Sequence, residues 1–198
     1  GAMYRAVTLA IIRNKISLDE LHSIEDLLPT LQIEFDYNEG SNFHHIILND
    51  VDVEKEIRSM EVANLVSPVS KISAVRKFLV TRQQLLGFKK GVVMDGRDIG
   101  TVVFPDAELK IYMTASAEVR AQRRFRELKE KGDKEVTYEA VLENLNSRDK
   151  MDSTRTDSPL KPATDAFILD NTFMSKSEQK DFVMKLVNTA LSKRITGV

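Results

Sequence analysis

Between residues 2 and 14 (AMYRAVTLAIIRN) apolar positions recur at helical spacing, Ala6, Leu9 and Ala10 among them, and predict a first helix. A second, shorter helix is expected over 18–28, ending before Pro29. The period then changes. Leu31, Ile33, Phe35 and Tyr37 alternate with polar residues, as in a half-buried strand. Asn38-Glu39-Gly40-Ser41-Asn42 is a turn cluster, and Phe43 to Leu48 (FHHIIL) reads as the returning strand of a hairpin. Asp52 is placed to cap a helix reaching about Leu65, with Pro68 after it. Ser73 is placed to cap the next helix, which turns Val75, Phe78, Leu79 and Leu86 inward and stops at Gly87.

Beyond Gly91 the pattern is different. Val92-Val93-Met94, Ile111-Tyr112-Met113 and Ala166-Phe167-Ile168-Leu169 are short apolar runs without alternation, the pattern of strands buried on both faces of a parallel sheet. Between the last two lie two expected helices. Ser116 caps one that closes at Gly132, with Lys129 and Lys131 in its final turn. Thr137 caps the other, with Val136 and Val141 placed as a hydrophobic staple. A last helix is expected over about 177–191. The fold class is α/β, a helix-flanked parallel sheet with a small α+β insert around the hairpin.

Composition narrows the function. In 198 residues, Lys+Arg 29 against Asp+Glu 30 leaves a net charge of −1, so no global basic field exists to hold nucleic acid or an anionic membrane. The absence of cysteine excludes disulfides, thiol catalysis and Cys-ligated zinc. Three histidines (His22, His44 and His45) without H-E-x-x-H spacing make a histidine-built metal site unexpected; His44 and His45 would face opposite sides of one strand. With no long apolar run and no signal pattern at the N-terminus, a cytoplasmic protein without nucleic-acid or membrane partners is expected. A monomer is a separate expectation, which these features do not supply.

Three constellations carry candidate chemistry. The run Val92-Val93-Met94-Asp95-Gly96-Arg97-Asp98 delivers a carboxylate at a strand end, where ligands sit in open α/β sheets, and where an Asp can position magnesium in phosphate transfer. Arg97 offers a planar fork for phosphate, and Asp98 offers acceptors to an amino group or an arginine. The same residues also suit turn caps and a salt bridge. Tyr138, Val141, Leu145, Arg148, Asp152 and Arg155 fall on one helical face that passes from apolar to charged, as at the rim of a cleft. An exposed ion-pair ladder would look similar. Arg120, Arg123, Arg124 and Arg126, with Lys129 and Lys131, suit either a flap over polyphosphate or a solvated face. Gly91 and Gly96 have the spacing of a phosphate-binding glycine loop, but a strand lies between them and Arg97-Asp98 replaces Lys-Ser/Thr.

The stretch Asp95-Gly96-Arg97-Asp98-Ile99-Gly100-Thr101-Val102-Val103, followed by Phe104-Pro105-Asp106-Ala107, strongly resembles the bacterial cytidylate kinases, members of the P-loop nucleoside monophosphate kinases. Gly1-Ala2-Met3-Tyr4-Arg5 resembles the segment after that family's second strand. Glu61-Val62-Ala63-Asn64 with Ser67, Val75-Arg76 with Arg82-Gln83, Arg148-Asp149-x-x-Asp152-x-x-Arg155 and Ser158-Pro159-Leu160 match in the family's order. The resemblance runs the length of the chain and implies phosphoryl transfer from ATP to CMP or dCMP with magnesium. It implies that Arg5 and Arg97 hold the acceptor phosphate, and that Ser67, Arg76 and Asp98 read the cytosine edge with Arg155 nearby. Asp152 would hold the ribose hydroxyls, assisted by Arg148. Arg97, Arg148 and Arg155 would be the catalytic cations, Arg123 and Arg124 would belong to the lid over ATP, and Asp95 would be an outer magnesium contact. The implied organisation is a core kinase domain over 1–28 and 68–198, with a lid at about 120–155 and a monophosphate-binding insert over 29–67.

In that family a strand, a glycine loop ending in Lys-Ser/Thr, a helix and a second strand come first, a unit of roughly 30 residues or more. Residue 1 resembles a position after that unit. Its first strand is central in the sheet, and without it buried N–H and C=O groups would lack partners. The expectation is an incomplete family member that neither folds stably as that domain nor holds the β-phosphate of ATP. A catalytically silent CMP-binding or interaction protein is the alternative, and a kinase for another monophosphate such as UMP a weaker one.

Overall fold

Helical spacing at the N-terminus produces α1 (Ala2–Arg13), which buries Met3, Ala6, Val7, Leu9, Ala10 and Ile11. The computed structural model describes residues 1–38, 43–130 and 132–196, in two units, Gly1–Gly96 and Arg97–Val198.

In the first unit α1 is the spine of the core. Thr8, wholly buried on it, donates its hydroxyl to the Tyr4 carbonyl at 2.8 Å, which removes the cost of an unpaired polar group. α2 (Leu21–Leu27) runs into a 3₁₀ turn over Leu28–Thr30. An antiparallel sheet follows, β1 (Ile33–Asn38), β2 (Phe43–Leu48) and β3 (Val51–Asp52), in that order and with Ile33 opposite Leu48. Leu31, Ile33, Ile46 and Leu48 join the core, while Phe35 stays exposed. The predicted turn at 39–42 lies outside the described residues.

Five expectations here are corrected. Asp52 caps no helix. It ends β3, where one carboxylate oxygen accepts from the Glu54 N–H (2.9 Å) and the other meets Nδ1 of His45 (2.7 Å). The cap of α3 (Met60–Val69) is Ser59, whose hydroxyl accepts from the Val62 N–H. Pro68 lies inside the last turn of α3 rather than beyond it, and the Ser70 N–H to Val66 carbonyl bond at 2.9 Å carries the helix past it. α4 (Ser73–Gly87) is preceded by Ile72, whose carbonyl takes the first helical bond, so Ser73 is already helical. Val75 and Leu79 are fully buried and Phe78 packs against them, but Leu86 is exposed. Residues 92–94 form no strand: they have no ladder partner, and Val92 and Val93 are exposed. A buried parallel strand exists only through its neighbours, and these residues have none among those described.

In the second unit Asp98 opens a single π-helical turn, Ile99–Val103. β4 (Ile111–Thr114) and β5 (Phe167–Asp170) pair in parallel, Ile111 opposite Phe167 and Thr114 opposite Asp170. Between them run α5 (Ala117–Glu130) and α6 (Tyr138–Thr154), packed on each other with Phe125 edge-on to Tyr138 at 6.4 Å and with Ala121 and Val141 buried. A parallel pair requires such a crossover. The predicted caps are present: Ser116 accepts from Val119, and Thr137 from Ala140. Gly132 ends α5 at φ +90, a conformation that disfavours any side chain, and its N–H bonds the Lys129 carbonyl. Lys131 lies outside the described residues. α7 (Lys176–Thr196) closes the chain. Among the described residues no helix is long and apolar enough to cross a membrane.

Candidate functional site

The Asp-Gly-Arg-Asp stretch is held by its own backbone. Around the π-helical turn the Asp98 carbonyl accepts from the amides of Thr101 (3.3 Å), Val102 (2.9 Å) and Val103 (3.3 Å). Asp98 itself is only 7% exposed, an environment a carboxylate tolerates when its charge is met. Its neighbour Arg97 reaches α6: Nε lies 2.5 Å from Oδ2 of Asp152.

Asp152 is the centre of a cationic cluster. Its Oδ1 is 3.3 Å from Nη1 of Arg155, which follows α6 and donates from Nε to the Ser158 carbonyl at 2.7 Å. The Leu160 N–H returns to the Asp152 carbonyl at 2.8 Å, so the chain leaving α6 folds back on its last turn. Arg148 lies one turn earlier on the same face. Burial, then the nearby charges of Arg97 and Arg124, push its pKa down, while Asp152 and Asp149 oppose the shift. A guanidinium stays charged regardless. The shift is first a mark of burial, and its second cause, the neighbouring Arg97 charge, is one that an arriving anion would relieve. Arg97, Arg148, Asp152 and Arg155, singled out from two separate stretches of sequence, are therefore brought together.

The cations of α5 divide. Arg120 is fixed: Nε donates to the Ala115 carbonyl (3.0 Å) and Nη1 to Asp149 (2.5 Å). Arg123 forks onto Asn171, one Nη to the side-chain oxygen and one to the carbonyl, both at 2.8 Å. Asn171 directly follows β5, at the carboxyl end of the parallel pair, where α/β sheets place ligands. Arg124 pairs with Glu127 at 2.7 Å on the exposed side. Arg120, Asp149 and Asn171 are functional-site neighbours that sequence reasoning left out of the site. Arg120 stood in a cationic run, but nothing in the run distinguished the member that is tied down.

In the first unit, Arg5 donates from Nη1 to the Ile57 carbonyl at 3.2 Å. Arg76 is buried, with its guanidinium 5.8 Å from the Tyr4 ring centre and Nη1 donating to the Ser70 carbonyl at 3.3 Å. The Ser70 hydroxyl in turn bonds the Ser67 carbonyl (2.8 Å), so Ser70 connects Arg76 with Ser67 on α3. A solvated arginine would not be buried on an amphipathic helix, and Arg76 departs from that pattern.

Among the described residues no three carboxylates or imidazoles gather to hold a metal. Magnesium in phosphate-transfer sites asks less of the protein, since one or two carboxylates suffice beside phosphate oxygens and water. Asp95 is an exposed carboxylate, chemically able to meet a metal-bound water.

Comparison with known proteins bears on the whole chain. The family model described as "Cytidylate kinase" matches residues 1–189. Curated cytidylate kinases are similar throughout: that of Flavobacterium johnsoniae is 53% identical over 191 residues, covering 95% of this chain and 83% of its own. That of Parabacteroides distasonis is 52% identical over 198 residues (96% and 84%), and that of Phocaeicola vulgatus 48% over 195 (97% and 85%).

Proposed function

The chain belongs to the cytidylate kinase family, and on that premise we propose how its residues divide the work of moving the γ-phosphoryl group of ATP to CMP or dCMP. The function is that of a nucleoside monophosphate kinase with an α/β fold, using ATP and magnesium. Arg5 and Arg97 hold the acceptor phosphate. Ser67, Arg76 and Asp98 read the cytosine edge, whose amino group is a donor beside acceptors. Asp152 takes the ribose hydroxyls with Arg148 beside it, and Arg148 and Arg155 meet charge developing on the transferred group. Arg123 and Arg124 serve the donor side. Residues 29–67 form the monophosphate insert and about 120–155 the lid.

The observation that carries this assignment is the gathering of Arg97, Arg148 and Arg155 about the single carboxylate of Asp152. Phosphoryl transfer asks for positioning and charge neutralisation rather than covalent help from the protein. An oxygen of the CMP phosphate attacks the γ-phosphorus, the bond from that phosphorus to the bridging oxygen breaks, and ADP leaves. The arginines orient the two phosphates in line and spread their charge. Magnesium, when bound with ATP, supplies further neutralisation of the phosphate oxygens, and Asp95 is the residue to hold it through water. No observation favours a silent nucleotide binder. The absence of cysteine accords with work in the cytoplasm.

A coupled phosphotransfer assay of the full-length enzyme with ATP, magnesium and CMP, dCMP, UMP or AMP tests the reading. Turnover confined to the cytidine nucleotides is expected, and equal turnover of UMP would contradict the cytosine contacts.

A further inference from the structure

Lys110 stands just before β4, outside every residue assigned above. Its backbone is fixed to the sheet, where its carbonyl accepts from the Phe167 N–H at 2.9 Å. Its side chain is only 8% exposed. The ammonium donates to both carboxylate oxygens of Asp165, at 2.9 and 2.8 Å, and to the Pro105 carbonyl. An ammonium has three donors, and all three are met. The methylene stem has a partner as well. A Cβ on Gly100 would lie 3.3 Å from Cδ and 3.4 Å from Cγ of Lys110, so the backbone of the π-helical turn rests directly on the stem.

We propose that Lys110 is a positioning residue for the acceptor side of the site, holding the segment 100–105 at both ends and through it the placement of Arg97 and Asp98. The stem supports the turn at Gly100, and the ammonium holds it at Pro105. Between those two points the amides of Thr101, Val102 and Val103 converge on the Asp98 carbonyl. The connection therefore runs from the sheet through one side chain to the peptide that follows Asp98. Asp165 supplies the countercharge, and Lys110 is the largest cause of its lowered pKa. Burying an ammonium merely to stabilise the fold is a poor use of the position, since an apolar side chain of similar volume often does as well. The charge is useful because it grips a carbonyl at a defined point. The proposal rests on the reading that Arg97 and Asp98 contact CMP.

The test compares Lys110→Met, Lys110→Arg and Gly100→Ala with Arg97→Ala and Asp98→Ala in the full-length enzyme, reading KM for CMP, KM for ATP, kcat and Tm. Lys110→Met keeps the stem and loses the grip. It is expected to raise KM for CMP on the order of tenfold while KM for ATP is unchanged. Lys110→Arg is expected to restore most of that loss. Gly100→Ala crowds the stem and should give a smaller loss on the same side, so the proposal stays open to refutation if Lys110→Met fails to fold. If Lys110→Met and Gly100→Ala lower Tm but leave the two KM values unchanged or shift them together, while Arg97→Ala and Asp98→Ala still impair CMP use, the positioning role is wrong and the site assignment stands. If Arg97→Ala and Asp98→Ala themselves leave CMP use unchanged, the assignment of the acceptor site is wrong and the proposal falls with it.

Discussion

Arg97 and Asp152 form an ion pair, Nε 2.5 Å from Oδ2, that joins the Asp-Gly-Arg-Asp stretch to the last turn of α6. Asp152 also faces Arg155 at 3.3 Å and is 16% exposed. One carboxylate thus orders two guanidiniums before any nucleotide arrives. Removing it should do two kinds of damage, losing the ribose contact and leaving cations in a half-buried place without a counterion. Asp152→Ala is therefore expected to raise KM for CMP on the order of tenfold or more, and Asp152→Asn, which keeps the shape, somewhat less. Steady-state kinetics in CMP at saturating ATP measure both.

Arg97→Ala removes a cation that is 41% exposed and central to no apolar cluster. Its loss should fall on chemistry and not on folding. A drop in kcat of about 10²-fold or more is expected, the scale seen when one preorganised charge-stabilising donor is removed. Tm should change by only a few degrees, read by thermal unfolding alongside the assay. Near-normal turnover would remove Arg97 from the phosphate site.

The crowding of Arg148 by Arg97 and Arg124 predicts a ligand that stabilises through charge. CMP should raise Tm, cytidine without its phosphate should raise it far less, and the increment from CMP should shrink as ionic strength rises. Thermal shift with the two ligands across a salt series is sufficient. Equal shifts from cytidine and CMP would show that the cluster does not receive the phosphate.

The sheet of the first unit carries a pH-dependent contact. The His45 ring bonded to Asp52 is the main reason that carboxyl is held below its ordinary range, followed by the Glu54 N–H. A carboxyl whose pKa is lower folded than unfolded adds stability above the unfolded value and loses it as pH falls through the folded one. His45→Ala should thus lower stability at neutral pH, and its difference from the unmodified protein should vanish as pH falls through the folded pKa of Asp52. Denaturant unfolding across pH reads it, and equal stability of the two proteins at neutral pH would show that the contact contributes nothing.

Thr137 caps α6 by accepting from Ala140. Thr137→Ala should cost about 1 kcal/mol, lowering Tm by roughly 2–4 °C, and Thr137→Ser should recover most of it.

Local signals in the sequence are legible where the chain decides structure locally. The caps of α5 and α6 at Ser116 and Thr137, the alternation through Ile33 and the helical spacing through Ala6 and Leu9 all gave elements that the structure contains. Local signals mislead where a competing partner decides. Asp52 has the chemistry of a helix cap, but its carboxylate is taken by His45 and Glu54. Val92-Val93-Met94 has the composition of a buried strand, yet strands are made by neighbours, and these residues have no ladder partner. In the candidate site the helical face of Arg148, Asp152 and Arg155 was legible because period 3.6 places its members together. Lys110 was not, because one lysine before a strand carries no pattern, and its significance lies in a carbonyl and a carboxylate from two other segments.

Arg120 and Arg123 stand one turn apart on α5, and each grips the chain just past a strand: Ala115 after β4, Asn171 after β5. Mechanically, α5 is a lever moored at two points along the edge of the parallel pair. A lever held at two points does not slide; it turns about the line through them. Both moorings lie at the strand ends, and the far tip near Gly132 is the part of the hairpin most distant from them. Arg148, Asp152 and Arg155 lie at the opposite end of the hairpin from that tip, on the side where Arg120 meets Asp149.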